Sequence, residues 1–149
     1  MNFFKSRKKT ITDPLFGSMT YGSKDWQAEV DIEGETDRVA IWIDAAEEGP
    51  GTEHRQAFRN LITLLPLASE AIEGALYELY TPYLSFTDWE VPRPRSPEHL
   101  RKMLRLDAIA ISSSKPPKLF YGFCGDVWPD ASFYLEVDEG EIRPISLDD

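Results

Sequence analysis

The sequence contains a single cysteine and two histidines among its 149 residues, and this scarcity excludes several kinds of site. Cys124 alone can form neither an intrachain disulfide nor a thiolate metal cluster, and its apolar neighbours predict a small buried residue. His54 and His99 do not form an HExxH or similarly spaced ligand pair, so no metal site is expected. We expect both to be solvated residues near the starts of helices. A GxSxG serine elbow and a glycine-rich phosphate loop are also absent. The sequence therefore predicts no catalytic residue, no metal and no cofactor.

Long apolar runs are missing as well. No stretch of about 18 apolar residues occurs, which is the length that a membrane-spanning helix requires. The basic residues near the start are not followed by the apolar segment of a signal peptide. We therefore expect a protein that is neither secreted by a cleavable signal nor inserted in a membrane. The single cysteine favours a cytoplasmic location.

Charge is segregated along the chain. Four of the 16 basic residues (Lys5, Arg7, Lys8 and Lys9) lie in the first ten residues, which contain no acidic residue. The rest of the chain carries the other 12 basic residues against 26 acidic ones, a formal charge of −14. Such a charge repels nucleic acid and anionic membranes and attracts a basic protein surface. We interpret residues 1–13 as a basic N-terminal arm and residues 14–149 as a single α+β domain.

Alternation of apolar and polar residues predicts strands in the first and last thirds of the chain. The clearest case is Trp26 to Glu33, in which every second residue is apolar and the others are mostly acidic. The segment at 118–124 is apolar on both faces, which predicts a central strand covered on both sides. The predicted strands lie at 15–21, 26–33, 38–44, 106–111, 118–124, 132–137 and 142–147.

The middle of the chain has helical spacing instead. An apolar stripe runs from Phe58 to Leu79, and Pro66 must either kink this helix or start the next one, giving a helical hairpin or a bent helix. Ser96 and Pro97 predict the start of a short helix. The order of elements predicts an α+β fold. We expect an antiparallel or mixed sheet formed by the N-terminal and C-terminal strand groups, with the central helices packed on one face.

The solvent side of the predicted sheet combines aromatic side chains with carboxylates. Aromatic anchors surrounded by charges are typical of protein-binding surfaces, in which the charges steer a partner of opposite sign. A plain solvated face is the alternative interpretation. The predicted partner-binding residues are Glu29, Asp31, Glu33, Trp42, Tyr134 and Glu136.

Two short motifs near the ends of the chain resemble a known pattern. The first is the run DPLFGSM from Asp13 to Met19, with Trp26 a few residues later. The second is WPD at 128–130, followed by FYLEV at 133–137. Together they resemble the opening and closing patterns of a bacterial family of small cytoplasmic domains, some of which lie in polymorphic-toxin neighbourhoods as candidate immunity proteins. The resemblance implies a related fold and a cytoplasmic location, and it carries no catalytic residues.

Two main hypotheses about function follow, and a plain structural or regulatory subunit is the third. The first is a non-enzymatic acidic interaction protein, in its most concrete form an immunity-type inhibitor that sequesters a basic protein such as a toxin. Glu29, Asp31 and Glu136 would then imitate substrate phosphates. The second is a small hydrolase or ligand-binding enzyme with a pocket between the helices and the sheet, near Asp126 and Trp128. The missing pair of base and nucleophile counts against the second hypothesis.

Overall fold

The computed structural model describes residues 9–22, 24–85 and 90–149. Eight strands of this part of the chain form one sheet, in the order in which they follow one another along the sequence. They are β1 (Lys9–Asp13), β2 (Gly17–Gly22), β3 (Asp25–Val30), β4 (Val39–Asp44), β5 (Leu104–Ser112), β6 (Lys118–Phe123), β7 (Ser132–Asp138) and β8 (Glu141–Asp148).

The sheet consists of two antiparallel meanders joined in the middle. Strands β1 to β4 form the first meander and strands β5 to β8 form the second. The meanders meet where β4 pairs with β5 in parallel, with Ile41 opposite Ile109. A parallel pair requires a long crossover connection, which the helical middle of the chain supplies. The sheet is therefore mixed and is built from the N-terminal and C-terminal strand groups, as the sequence predicts.

The described residues of the crossover form three α-helices, α1 (Thr52–Leu64), α2 (Ser69–Tyr80) and α3 (Pro97–Met103). A 3-10 turn at Leu65–Ala68 joins α1 to α2 without a loop. Pro66 lies at the start of this turn, where its missing N–H is tolerated. The bent helix is therefore the form observed. None of the described helices is long and apolar enough to cross a lipid bilayer.

The hydrophobic core lies between the crossover and one face of the sheet. Trp26 on β3 is fully buried, and its indole Nε1 donates a hydrogen bond to the carbonyl of Ala46 at 2.8 Å. From the crossover, Tyr80 packs against Phe123 and Phe133, with ring centroids 5.7 and 6.1 Å away. These contacts confirm the α+β class and the packing of the helices on one face.

The boundary predicted for the N-terminal arm needs a correction. Residues 9–13 form β1, in which Ile11 lies opposite Met19 of β2. The prediction was wrong here because a basic segment with a single large apolar residue does not show the alternation of a strand. The other basic residues of the predicted arm, in the segment 1–8, lie outside the described residues.

Candidate partner-binding surface

The second face of the sheet carries none of the described helices, and we call it the open face. Three aromatic side chains, here named the aromatic strip, cross its centre: Trp42 on β4, Phe120 on β6 and Tyr134 on β7. The ring centroids of Trp42 and Phe120 are 5.8 Å apart. Phe120 stacks on Tyr134 at 5.1 Å with an interplanar angle of 12°. Trp42 is 40% exposed, so the strip presents apolar area to solvent.

Two alanines of β5 make the aromatic strip continuous. Ala110 pairs with Trp42, and Ala108 pairs with Phe120 on the other side of β5. Ala108 is 4% exposed although no described helix lies above it, which indicates that neighbouring side chains cover it. A larger residue at either alanine would push the rings of Trp42 and Phe120 apart.

Two hollows lie beside Trp42. The larger, about 490 Å³, lies towards Gln27 and Glu29 of β3. The smaller, about 150 Å³, lies towards Asp44 and Lys118. The exposed Trp42 ring lies between these two hollows, into which side chains of a protein partner can fit.

Charged side chains surround the strip. The Tyr134 hydroxyl donates to Glu136 Oε1 at 3.3 Å, and the Lys118 ammonium lies 5.6 Å from the centroid of the Tyr134 ring. Burial raises the pKa of the Tyr134 phenol, an effect that Lys118 opposes and Glu136 supports, so the hydroxyl stays neutral. Within the described residues, the exposed carboxylates of Glu29 and Asp44 form no ion pair. Both are available to a positively charged partner.

The structure brings together four of the six predicted binding residues on the open face: Glu29, Trp42, Tyr134 and Glu136. It does not place Asp31 and Glu33 with them, because β3 ends at Val30. The exposed Asp31 carboxylate lies 3.7 Å from Arg38 instead, and Glu33 belongs to the turn after β3. The alternation of residue types continues past the point where pairing stops, which explains why the sequence placed both on the strand.

Sequence reasoning missed Phe120. The apolar residues on both faces of β6 predicted a strand covered on both sides, but Phe120 lies half-buried on the open face. Its neighbours Trp42 and Tyr134 cover it from the sides, and no described helix covers it from above. Its position in the alternation, opposite Tyr134, is the signal that could have identified it.

The histidines have structural roles. His54, buried in α1, accepts a hydrogen bond from the Gly51 amide at Nδ1 (3.0 Å), and its Nε2 lies 2.9 Å from the Asp44 carbonyl. His99 occupies the same position in α3 and accepts from the Arg95 amide at 2.9 Å. The expectation that both are solvated helix residues was wrong for His54, because its ring satisfies the helix start.

The other residues considered for catalysis or metal binding do not form a site among the described residues. Cys124 is exposed rather than a buried apolar residue as we expected. No group of three potential metal ligands occurs among residues 9–22, 24–85 and 90–149. Trp128 packs on Phe123 and Tyr83, at 6.0 and 5.3 Å, and so belongs to an aromatic cluster. A cavity between the helices and the sheet does exist, but it lies beneath the bend between α1 and α2, away from the predicted position near Asp126.

Comparison with protein families, with curated proteins and with solved structures finds no match to this chain.

Proposed function

We propose that this protein is a non-enzymatic interaction domain that binds a basic protein partner on the open face of its sheet. The observation that carries the proposal is the aromatic strip, a connected apolar feature across four strands in which Trp42 is exposed and Phe120 and Tyr134 are half-buried. Isolated exposed apolar residues are ordinary on protein surfaces, whereas connected aromatic side chains mark binding surfaces.

The negative charge of the chain favours a basic partner. The whole chain has a formal charge of −10, and Glu29 and Asp44 lie beside Trp42 without an ion pair in the described part of the chain. A basic surface is attracted to such a face, and an acidic surface or a nucleic acid is repelled. An inhibitor that covers the active surface of a basic toxin is the most concrete form of this function. The proposal includes a cytoplasmic location.

Binding energy and binding rate have different sources in this proposal. Trp42 would be buried by the partner and act as an anchor, whereas Glu29 and Glu136 would steer the encounter. Because anchors act mainly on dissociation and peripheral charges on association, the two contributions can be measured separately.

The experiment identifies a basic partner by affinity capture and then measures both rate constants by surface plasmon resonance. Glu29→Lys with Glu136→Lys should slow association, and raised salt should have the same effect. Trp42→Ala should accelerate dissociation, with a loss of about 2 kcal/mol or more for a true anchor.

Matched control variants separate the open face from overall charge. Glu70→Lys with Glu78→Lys changes the net charge equally but lies on the exposed side of α2. Leu67→Ala removes another exposed apolar side chain, which is 81% exposed on the crossover. These controls should leave dissociation unchanged and affect association much less. If the open-face variants behave like the controls while remaining folded, the proposal is wrong.

A further inference from the structure

A cavity of about 360 Å³ lies beneath the bend of the crossover, on the side of the sheet opposite the open face. It is partly open to solvent and is bounded by the turn after β3, the bend between α1 and α2, α3, and the central strands β5 and β6. Cavities of this size accommodate small organic ligands. The apolar part of its wall is formed by Ile32, Ile62, Leu65, Pro66, Ile72 and Leu106.

A tyrosine of β6 adds a polar group to this wall. Tyr121 of β6 is 2% exposed, and it lines the cavity. Its hydroxyl forms no hydrogen bond with any of the described residues, whereas the comparably buried Tyr80 donates its hydroxyl to the Pro92 carbonyl. No fully buried side-chain polar atom of the described residues lacks a partner, so the Tyr121 hydroxyl reaches the open space of the cavity, where a ligand can form a hydrogen bond with it. Burial raises the pKa of Tyr121 to about 12, which keeps the hydroxyl neutral and able both to donate and to accept.

The positive charge at the cavity is already neutralised. Arg101 of α3 lies over the Tyr121 ring, 4.9 Å from its centroid, and its Nη2 donates to Glu35 Oε1 at 2.6 Å. The second oxygen of Glu35 accepts from the Leu106 amide at 3.3 Å. Arg101 and Glu35 therefore form a closed pair within the wall.

Two further carboxylates leave the cavity negative. Glu33 and Glu73 line it, Glu33 is exposed and Glu73 is half-buried, and neither forms an ion pair with the rest of the described chain. With Arg101 paired to Glu35, the lining carries two uncompensated negative charges. An anionic ligand is disfavoured there and a cationic ligand is favoured.

We propose that this cavity binds a small organic cation, a primary amine attached to an apolar body the size of a phenyl or short alkyl group. The ammonium group is bound by the carboxylates of Glu73 and Glu33, where hydrogen bonds are charge-assisted. The apolar body packs on the isoleucine and leucine wall, and the Tyr121 hydroxyl supplies a further polar contact to the ligand. This site lies on the other side of the sheet from the open face, so it is independent of the proposed partner binding.

Three probes with the same phenylethyl body test the role of charge: phenethylamine, 2-phenylethanol and 3-phenylpropionate. Binding to the full chain is measured by protein NMR titration, with calorimetry for the tightest probe. We expect phenethylamine to bind about tenfold more tightly than the alcohol, with shift changes at Tyr121 and Glu73, and the anion to bind more weakly still. Equal affinity of the amine and the alcohol would overturn the proposal, as would no binding of the amine up to about 5 mM.

Variants test the residues. Glu73→Gln should weaken phenethylamine binding about fivefold to tenfold and leave the affinity for the alcohol nearly unchanged. Glu70→Gln is the matched control, since it removes the same charge from an exposed position of α2 that does not line the cavity. Tyr121→Phe should weaken binding severalfold, whereas Tyr80→Phe should not. If Glu73→Gln and Glu70→Gln have the same effect, long-range charge and not the cavity explains binding. Should Tyr121→Phe fail to fold, the comparison of the two glutamates decides alone.

Discussion

Asp13 and Arg55 tie the β1–β2 turn to helix α1. The Arg55 Nε and Nη2 atoms donate to Asp13 Oδ1 at 2.9 and 2.7 Å, and Asp13 Oδ2 accepts from the amides of Leu15 and Phe16 at 2.8 and 3.1 Å. Both carboxylate oxygens are therefore satisfied in a side chain that is 1% exposed. The DPLFGSM motif thus has a structural role at its first residue, which orders the turn and anchors the crossover.

Replacing Asp13 should destabilise the fold strongly. Asp13→Asn leaves Arg55 without its counter-charge and removes charge-assisted hydrogen bonds in a buried position, for which we expect a loss of about 2–4 kcal/mol in the free energy of unfolding. Glu98→Gln is the control, since its pair with Lys102 is largely exposed and should contribute less than about 0.5 kcal/mol. Urea denaturation of the two variants measures both values. Similar losses would show that the Asp13 pair contributes no more than a surface pair.

The same carboxylate predicts an acid-dependent loss of stability. Burial alone would raise the pKa of Asp13, but the hydrogen bonds from Arg55 and from the two backbone amides outweigh it, so the pKa lies below its ordinary value of 3.8. A lowered pKa in the folded state stabilises the fold above the unfolded-state pKa, and this contribution is lost as the pH falls through the folded value. The stability difference between the wild type and Asp13→Asn should therefore be constant from pH 7 to about 5 and shrink below about pH 4. Denaturation curves across this range measure it, and a difference that persists unchanged to pH 2 contradicts the assignment.

Two buried tyrosines predict a loss of stability in base. Burial raises the pKa of Tyr80 to about 12, against the opposing effect of Arg93, and raises the pKa of Tyr121 to about 12, against that of Arg101. Between the ordinary value of 10.0 and 12, the unfolded chain releases protons that the folded chain retains, so stability falls as the pH rises. Each tyrosine contributes up to about 1.4 kcal/mol per pH unit. Tyr80→Phe and Tyr121→Phe should each flatten the decline between pH 10 and 12, with the same variants at pH 8 as reference.

Gly122 of β6 lies against the β5 bulge. Pairing between β5 and β6 shifts register at Asp107, and a Cβ atom at position 122 would collide with the Asp107 carboxylate. Arg105 Nε donates to that carboxylate at 2.7 Å, but the two side chains are 40% and 42% exposed, so the carboxylate can move aside if this surface ion pair is lost. Gly122→Ala should lower the free energy of unfolding by about 0.5–1 kcal/mol.

A second substitution separates this collision from other effects of the alanine. In the Asp107→Ala background the obstructing carboxylate is gone, so Gly122→Ala should be nearly neutral. The double-mutant cycle should give a coupling energy of about 0.5 kcal/mol between the two positions. Additive effects would show that the backbone, and not Asp107, requires glycine.

Local patterns account for most of the fold. Seven of the eight strands, the bent helix and the Ser96 cap follow from periodicity and capping residues, because each is determined by neighbours in sequence. β1 was missed since Ile11 is its one large apolar residue. The parallel pairing of β4 with β5 was left open between antiparallel and mixed, because alternation fixes which face a residue occupies and not which strand lies beside it.

The candidate binding surface could also be predicted only in part, where it depends on local sequence patterns. Alternation places Glu29, Trp42, Tyr134 and Glu136 on one face, but the end of β3 at Val30 depends on where pairing stops. The continuity of the aromatic strip depends on Ala108 and Ala110, whose position between Trp42 and Phe120 exists only after the two meanders meet. The cavity combines residues of the three helices with residues of the turn after β3, of β5 and of β6, and no sequence spacing predicts that Glu73 and Tyr121 line the same cavity.

The parallel junction at the centre of the sheet has a kinetic consequence. Each meander is built from sequence-local hairpins, but joining them requires Ala40 to meet Ala108, which lies 68 positions later in the chain. Closing so long a loop has a large entropic cost before any contact compensates it, so this step should limit the folding rate. Until it is complete, β4 and β5 are both unpaired edges rich in isoleucine, and such edges recruit strands from other molecules. The bent helix spans the same gap, so its early formation shortens the effective loop and protects the nascent chain from aggregation.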